Sequence, residues 1–169
     1  MKKLYLLRHG KSDWNDVDLS DLDRPLKKRG VQNSTDMGIL MREKGLIPDL
    51  LITSPALRAY DTAKLVADQL GTASLQFKVN EKLYLPDFPT SLKLILYIDN
   101  AYNSLMLVGH EPSISTTINY FINKPLEKVV TASLTELTFD CKDWRDLSPS
   151  NFHTGWHRNR HDMDGFELN

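Results

Sequence analysis

The stretch Lys3-Leu4-Tyr5-Leu6-Leu7-Arg8-His9-Gly10 opens on an apolar run and stops abruptly at an arginine, a histidine and a glycine. Residues 3–7 predict a buried strand entering a tight turn at Arg8-His9-Gly10, with Gly10 supplying the backbone freedom for that turn. Two more runs have the same form. Leu50–Thr53 predicts a strand followed by Ser54-Pro55-Ala56-Leu57-Arg58, and residues 104–108 predict one that ends at Gly109-His110-Glu111-Pro112. Short apolar runs alternate with longer helical stretches, the pattern of an α/β fold. The expectation is a single domain over residues 1–169, with a mostly parallel central sheet flanked by helices.

The helical stretches have legible ends. Residues 29–44 predict a helix with Val31, Ser34, Gly38 and Met41 on the face toward the sheet and Gly45 as its stop. Ser54 is placed as N-cap and Pro55 as first residue of a second helix running to about Leu70, with Gly71 beyond it. Residues 75–79 predict a weaker strand, 92–98 a helix with a strand as the alternative, and Ser113–Phe121 a helix. Leu134–Phe139 alternates apolar and polar residues, which predicts a strand at or near the sheet edge. From Trp144 onward no period is visible, and no element is assigned.

Composition narrows the function classes. The 169 residues are 41% hydrophobic and 25% charged, ordinary for a globular chain long enough to bury a full core. A net charge of −1 offers no overall attraction for nucleic acid or a membrane surface, so neither is an expected partner and any anion site must be local. Cys141 is the sole cysteine, which excludes an internal disulfide and a cysteine-rich metal site. The apolar run after Lys2-Lys3 is broken by Arg8-His9, too soon for a signal peptide, and no stretch is long enough to span a bilayer. The expected location is the cytoplasm.

If the three strands are parallel, Arg8-His9, Arg58 and His110 face one crevice beyond their carboxyl ends, where α/β sheets bind ligands. A helix starting near Pro55 aims unpaired N–H groups at the same place, which suits an anion. Two guanidinium groups and two imidazoles around one cavity fit phosphoryl transfer. Arginine's planar fork matches phosphate oxygens and stays charged, so the charge that a metal often supplies is available from side chains. A neutral histidine is a competent nucleophile for phosphorus. His9, between a buried strand and Gly10, is the expected nucleophile, and His110 the expected holder of an equatorial oxygen. Each residue alone has an ordinary structural explanation; three strand ends bearing the same kind of group do not share one. His153, His157 and His161 stand at four-residue spacing, but Gly155 and the polar surroundings argue against a metal-binding helix face there. No metal and no cofactor is expected.

Leu7-Arg8-His9-Gly10-Lys11-Ser12-Asp13-Trp14-Asn15 resembles the signature of the histidine phosphatase superfamily, also called phosphoglycerate mutase-like. Asp23-Arg24-Pro25-Leu26 through Arg29-Gly30, Ser54 to Ala59 with Thr62-Ala63, and Val108-Gly109-His110-Glu111-Pro112 resemble further family blocks in the family's order. The resemblance implies that His9 is phosphorylated, that Arg8, Arg58 and His110 complete the phosphate pocket, and that Asn15 adds a phosphate contact. It points to Glu81, in Asn80-Glu81-Lys82-Leu83-Tyr84, as the acid that protonates the leaving group, with a solvated surface carboxylate as the equal alternative. Asp23 is read as a cap or turn residue. About fifty residues separate Arg58 from His110, little room for the lid of a mutase. The short SixA-type members, protein phosphohistidine phosphatases, are the preferred analogy, and a phosphorylated protein the expected partner. The alternatives are a small-molecule phosphomonoesterase or mutase-like enzyme, and a phosphate- or phosphohistidine-binding module without turnover.

Overall fold

A computed structural model describes residues 1–159 and 164–168. Its centre is a seven-stranded mixed sheet in the order β3-β2-β4-β1-β5-β6-β7. The strands are β1 (Lys2–Arg8), β2 (Leu50–Thr53), β3 (Gln76–Val79), β4 (Ser104–Gly109), β5 (Leu134–Phe139), β6 (Phe152–Arg158) and β7 (Phe166–Leu168). β1 to β4 are parallel neighbours, and β5, β6 and β7 add on antiparallel. The helices are α1 (Lys28–Glu43), α2 (Leu57–Leu70), α3 (Phe88–Leu96) and α4 (Ser113–Phe121).

Chain direction explains which face each helix covers. From β1 to β2 to β3 the chain steps one way along the sheet, and the step back to β4 reverses it; right-handed crossovers therefore put α1 and α2 on one face and α3 on the other. The core agrees. Tyr5, Leu7, Leu51, Met106 and Val108 pack with Met37, Met41, Ala59, Ala63 and Val66 of α1 and α2. Leu4, Leu6, Ile52, Leu105 and Leu107 pack with Ile95, Ile114, Ile118 and Phe121 of α3 and α4. Burial on both faces is why β1, β2 and β4 read as continuous apolar runs rather than as alternation.

Several expectations shift. Leu134–Phe139 is interior, not an edge, because the tail that showed no period supplies β6 and β7 beside it. Its alternation is real but pairs two different packed environments. Val31 is exposed at 42%, and α1 instead buries Gly30, Ser34, Met37, Gly38 and Met41. Residues 92–98 fall mostly within α3, which begins earlier, at Phe88, behind the Asp87 cap. The second helix starts at Leu57, two residues after Pro55, with Ala56 as its N-cap. Ser54 is thereby released for another task.

Candidate active site

β1, β2 and β4 are parallel, so their carboxyl ends bring Arg8-His9, the turn before α2, and His110 to one place. There a cavity of about 530 Å³ is lined by Arg8, His9, Arg58 and His110, together with Lys11, Ser12, Trp14, Asp21, Arg24, Tyr84 and Glu111. His9, Arg58 and His110 are each at most 8% exposed. The two imidazole centroids stand 5.1 Å apart.

His9 is oriented by its own backbone. Its Nδ1 lies 2.7 Å from the carbonyl oxygen of Gly10, and a carbonyl only accepts, so Nδ1 carries the proton. The neutral ring then has its lone pair on Nε2. Burial lowers the His9 pKa to about 3; the Gly10 carbonyl opposes this, while His110, Arg58 and Arg8 reinforce it. The ring is a free base at neutral pH, the form that can attack phosphorus.

Gly10 is needed for space rather than for an unusual backbone angle. A Cβ there would stand 2.7 Å from Ser34 Oγ and 2.8 Å from the Gly30 carbonyl oxygen. The close approach lets Gly10 N–H donate to Thr62 Oγ1 at 2.9 Å, and Thr62 in turn donates to the Arg58 carbonyl at 2.7 Å. The nucleophile turn is thus tied to the helix that carries Arg58.

His110 is held from the other strand end. Its Nε2 lies 2.7 Å from Ser54 Oγ, which also accepts the Ala56 N–H at 3.3 Å. The hydroxyl can accept from Ala56 N–H and still either donate to Nε2 or accept from it, so this contact admits both His110 tautomers. Nδ1 is buried without a hydrogen-bond partner among the described residues. His110 lines the cavity, so when Nδ1 carries the proton it has a donor to offer an anion there. Burial, then Arg58, lowers the His110 pKa to about 4, against the pull of Asp21.

The arginines are braced. Arg8 Nη1 donates to the Val129 carbonyl at 2.7 Å. Arg58 Nη1 donates to the Asp21 carbonyl at 2.5 Å and Nη2 to Asp21 Oδ2 at 2.9 Å. Asp21 also accepts from Arg24 Nη1 and from Tyr84 Oη, both at 2.7 Å. Against burial, which pushes its carboxyl up, the bonds from Tyr84, Arg24 and Arg58 hold Asp21 well below the usual carboxylate range. It is therefore an anchor and no proton donor. Arg24 stacks on the Trp14 ring, 3.1 Å from its centroid, so the Ser12–Arg24 segment forms one wall of the cavity.

Four expected residues meet and two stand apart. Arg8, His9, Arg58 and His110 share the cavity. Asn15 is exposed and lines a different depression, beside Asp13 and Lys27. Glu81 is exposed at the start of a one-turn 3-10 helix, outside the cavity; its neighbour Leu83 is the residue buried there. One carboxylate missed by sequence reasoning is Glu111. It lines the cavity, takes a hydrogen bond from Ser115 Oγ on Oε2, and has a buried Oε1 with no partner among the described residues. Its only signal was its place next to His110. Asp21 and Tyr84 were missed too; the Asp21–Arg24 spacing of three was the available hint. Asp23 is a turn residue, accepting from Ser20 Oγ at 2.6 Å.

The histidine cluster in the tail does not assemble. His153 and His157 lie on β6, where four-residue spacing means about 13 Å. His153 pairs with Asp140, and the buried His157 bonds Thr135 and Asn159. His161 lies outside the described residues. Among the described residues no group of three potential ligands is close enough to hold a metal ion, and no helix is long and apolar enough to cross a membrane.

The family model "Histidine phosphatase superfamily (branch 1)" matches residues 4–84. A 2,3-bisphosphoglycerate-dependent phosphoglycerate mutase of Clavibacter michiganensis is 37% identical over 89 residues, covering 49% of this chain and 36% of that one. Phosphoglycerate mutase 1 of Saccharomyces cerevisiae is 38% identical over 90 residues, 50% of this chain and 36% of that one. The match thus spans little more than a third of those relatives' length. Among solved structures, SixA from Agrobacterium tumefaciens superposes with a TM-score of 0.76 at 26% identity, covering 82% of this chain and 92% of that one. The protein histidine phosphatase SixA complexed with tungstate has the same fold, with a TM-score of 0.76 at 21% identity over 94% and 97% of the two chains. Residues 4–84 carry histidine phosphatase superfamily sequence, and the chain that contains them has the SixA fold.

Proposed function

We propose that this chain is a phosphatase that carries the phosphoryl group on His9 Nε2 and acts on phosphohistidine in proteins. The observation that carries the reading is the state of His9: a neutral ring with its lone pair fixed on Nε2, beside two arginines and the unpartnered Nδ1 of His110. In the first step the lone pair of Nε2 attacks phosphorus, the P–Nε2 bond forms and the bond to the leaving group breaks. Arg8 and Arg58 neutralise the equatorial oxygens throughout, and His110 holds one of them. Water then attacks the phosphoryl group, the P–Nε2 bond breaks with its electron pair returning to Nε2, and the proton the water loses passes to the Glu111 carboxylate as inorganic phosphate leaves.

Support for a protein substrate comes from the site's openness. The chain between Arg58 and His110 is spent on α2, β3, α3 and β4, and between those two residues only Tyr84 and Leu85 reach the cavity. The SixA likeness points the same way. A second reading, a small-phosphoester enzyme, is favoured by the mutase relatives and by a cavity that would hold such a molecule. A module that only binds phosphate would have no use for a nucleophilic Nε2.

One experiment tests the chemistry and one the substrate. Rapid quench with labelled substrate should trap an acid-labile phosphoenzyme that is absent from His9→Ala. A His9→Ala protein retaining a tenth of the wild-type turnover would rule out covalent catalysis there. A panel of phosphohistidine protein, p-nitrophenyl phosphate and sugar phosphates should rank the first highest in kcat/KM. The cations present make a metal unnecessary, so rates should survive EDTA; loss on chelation with recovery on adding a divalent ion would overturn that part.

A further inference from the structure

Beside the His9 cavity lies a second one of about 180 Å³ that shares Arg8 and Lys11 with it and adds Arg29 and Lys128. No carboxylate lines it. Lys11, Arg29 and Lys128 have no ion-pair or hydrogen-bond partner for their charged ends among the described residues, in a chain whose net charge is −1. Four cations are thus gathered around one depression, drawn from the end of β1, the loop after it, the first turn of α1 and the segment before β5. Like charges this close repel unless something negative joins them.

We propose that this depression is a second anion subsite, taking the carboxylate of an acidic residue that flanks the phosphorylated histidine of the protein substrate. The inference rests on the phosphoprotein reading above. Arg29 and Lys128 are exposed, so they meet what protrudes beyond the phosphoryl group, namely the polypeptide that bears it. Arg8 and Lys11 border both cavities, so an anion in the second sits one side chain away from the phosphate in the first. The subsite selects among phosphohistidines by their neighbours, which the phosphate pocket by itself cannot do.

The test is calorimetric binding of two peptides bearing a stable phosphoryl-triazole analogue of phosphohistidine, one flanked by Asp and Glu, the other by Asn and Gln. The acidic peptide should bind wild type roughly fivefold more tightly at low salt, as expected for two or three exposed charge contacts, with the gap closing at high salt. The double variant Arg29→Glu/Lys128→Glu should reverse the preference, the neutral peptide serving as control. Equal affinities of wild type for the two peptides would overturn the subsite. Binding of neither, by protein that still hydrolyses p-nitrophenyl phosphate, would instead remove the phosphoprotein reading and take the subsite with it.

Discussion

Ser54 and His110 belong to different strand ends, yet their side chains meet at 2.7 Å. When the Ser54 hydroxyl donates to Nε2, the ring proton sits on Nδ1 and the cavity offers a phosphate oxygen a donor; the reverse tautomer would present a repelling lone pair. Ser54→Ala should therefore lower kcat about three- to tenfold, the worth of one neutral hydrogen bond, with Ser54→Thr restoring it. The 15N shifts of His110 should show Nδ1–H in wild type and a tautomer mixture in Ser54→Ala; an unchanged tautomer would leave Ser54 a mere packing residue. The leaving group poses a separate proton problem. An alkoxide needs a proton in the transition state, a service worth about 10²–10⁴-fold, whereas an imidazole leaving group is far less basic. Glu111 lines the cavity and Glu81 does not. Glu111→Gln should thus cripple alkyl phosphate hydrolysis and spare phosphohistidine, while Glu81→Gln changes neither. Loss of alkyl phosphatase activity in Glu81→Gln would restore the residue that the family resemblance indicated.

Among the elements, α1 and α2 show where sequence was legible and where it failed. Gly45 and Gly71 were read as helix stops, and both adopt left-handed angles, φ 68° and 60°. The start of α2 was misread because Ser54-Pro55 satisfies the statistics of a cap while its hydroxyl is claimed by His110, a partner 56 residues away. Long-range claims of that kind leave no local trace. The apolar runs of β1, β2 and β4 were legible because burial on both faces removes polar residues altogether. β6 and β7 were not, since a strand beside β5 with glycine, histidine and arginine in it has no run to detect. The face of α1 was right in Ser34, Gly38 and Met41 and wrong in Val31. Gly38 lets the two helices touch: a Cβ there would stand 2.8 Å from Gln69 Cβ and 3.0 Å from Val66 Cα. Replacing glycine by alanine in a helix gains up to about 1 kcal/mol, but overpacking costs about 1–3 kcal/mol. Gly38→Ala should therefore lower the urea midpoint, while Val31→Ala on the exposed side stays near wild type. A more stable Gly38→Ala would mean that α1 and α2 do not approach this closely.

For the whole molecule, the site has a cost that pH can expose. Two imidazoles are buried as free bases among three arginines, and their pKa values fall to about 3 for His9 and about 4 for His110. In the unfolded chain both titrate near 6.5. Between these limits the unfolded state binds protons that the folded state refuses, so ν_U exceeds ν_N and stability falls as pH drops. Each histidine can contribute at most about 1.4 kcal/mol per pH unit, from near pH 6.5 down to about 4 for His110 and about 3 for His9. A bound phosphate brings negative charge against His110, favours its protonated form, and should relieve part of the penalty. Urea midpoints measured from pH 7.5 to 4.5 should fall steeply for wild type without phosphate, and less steeply with saturating inorganic phosphate or in His9→Asn/His110→Asn. Parallel curves for wild type and the double variant would show that the acid sensitivity lies elsewhere, and that these two histidines are not held neutral by the fold.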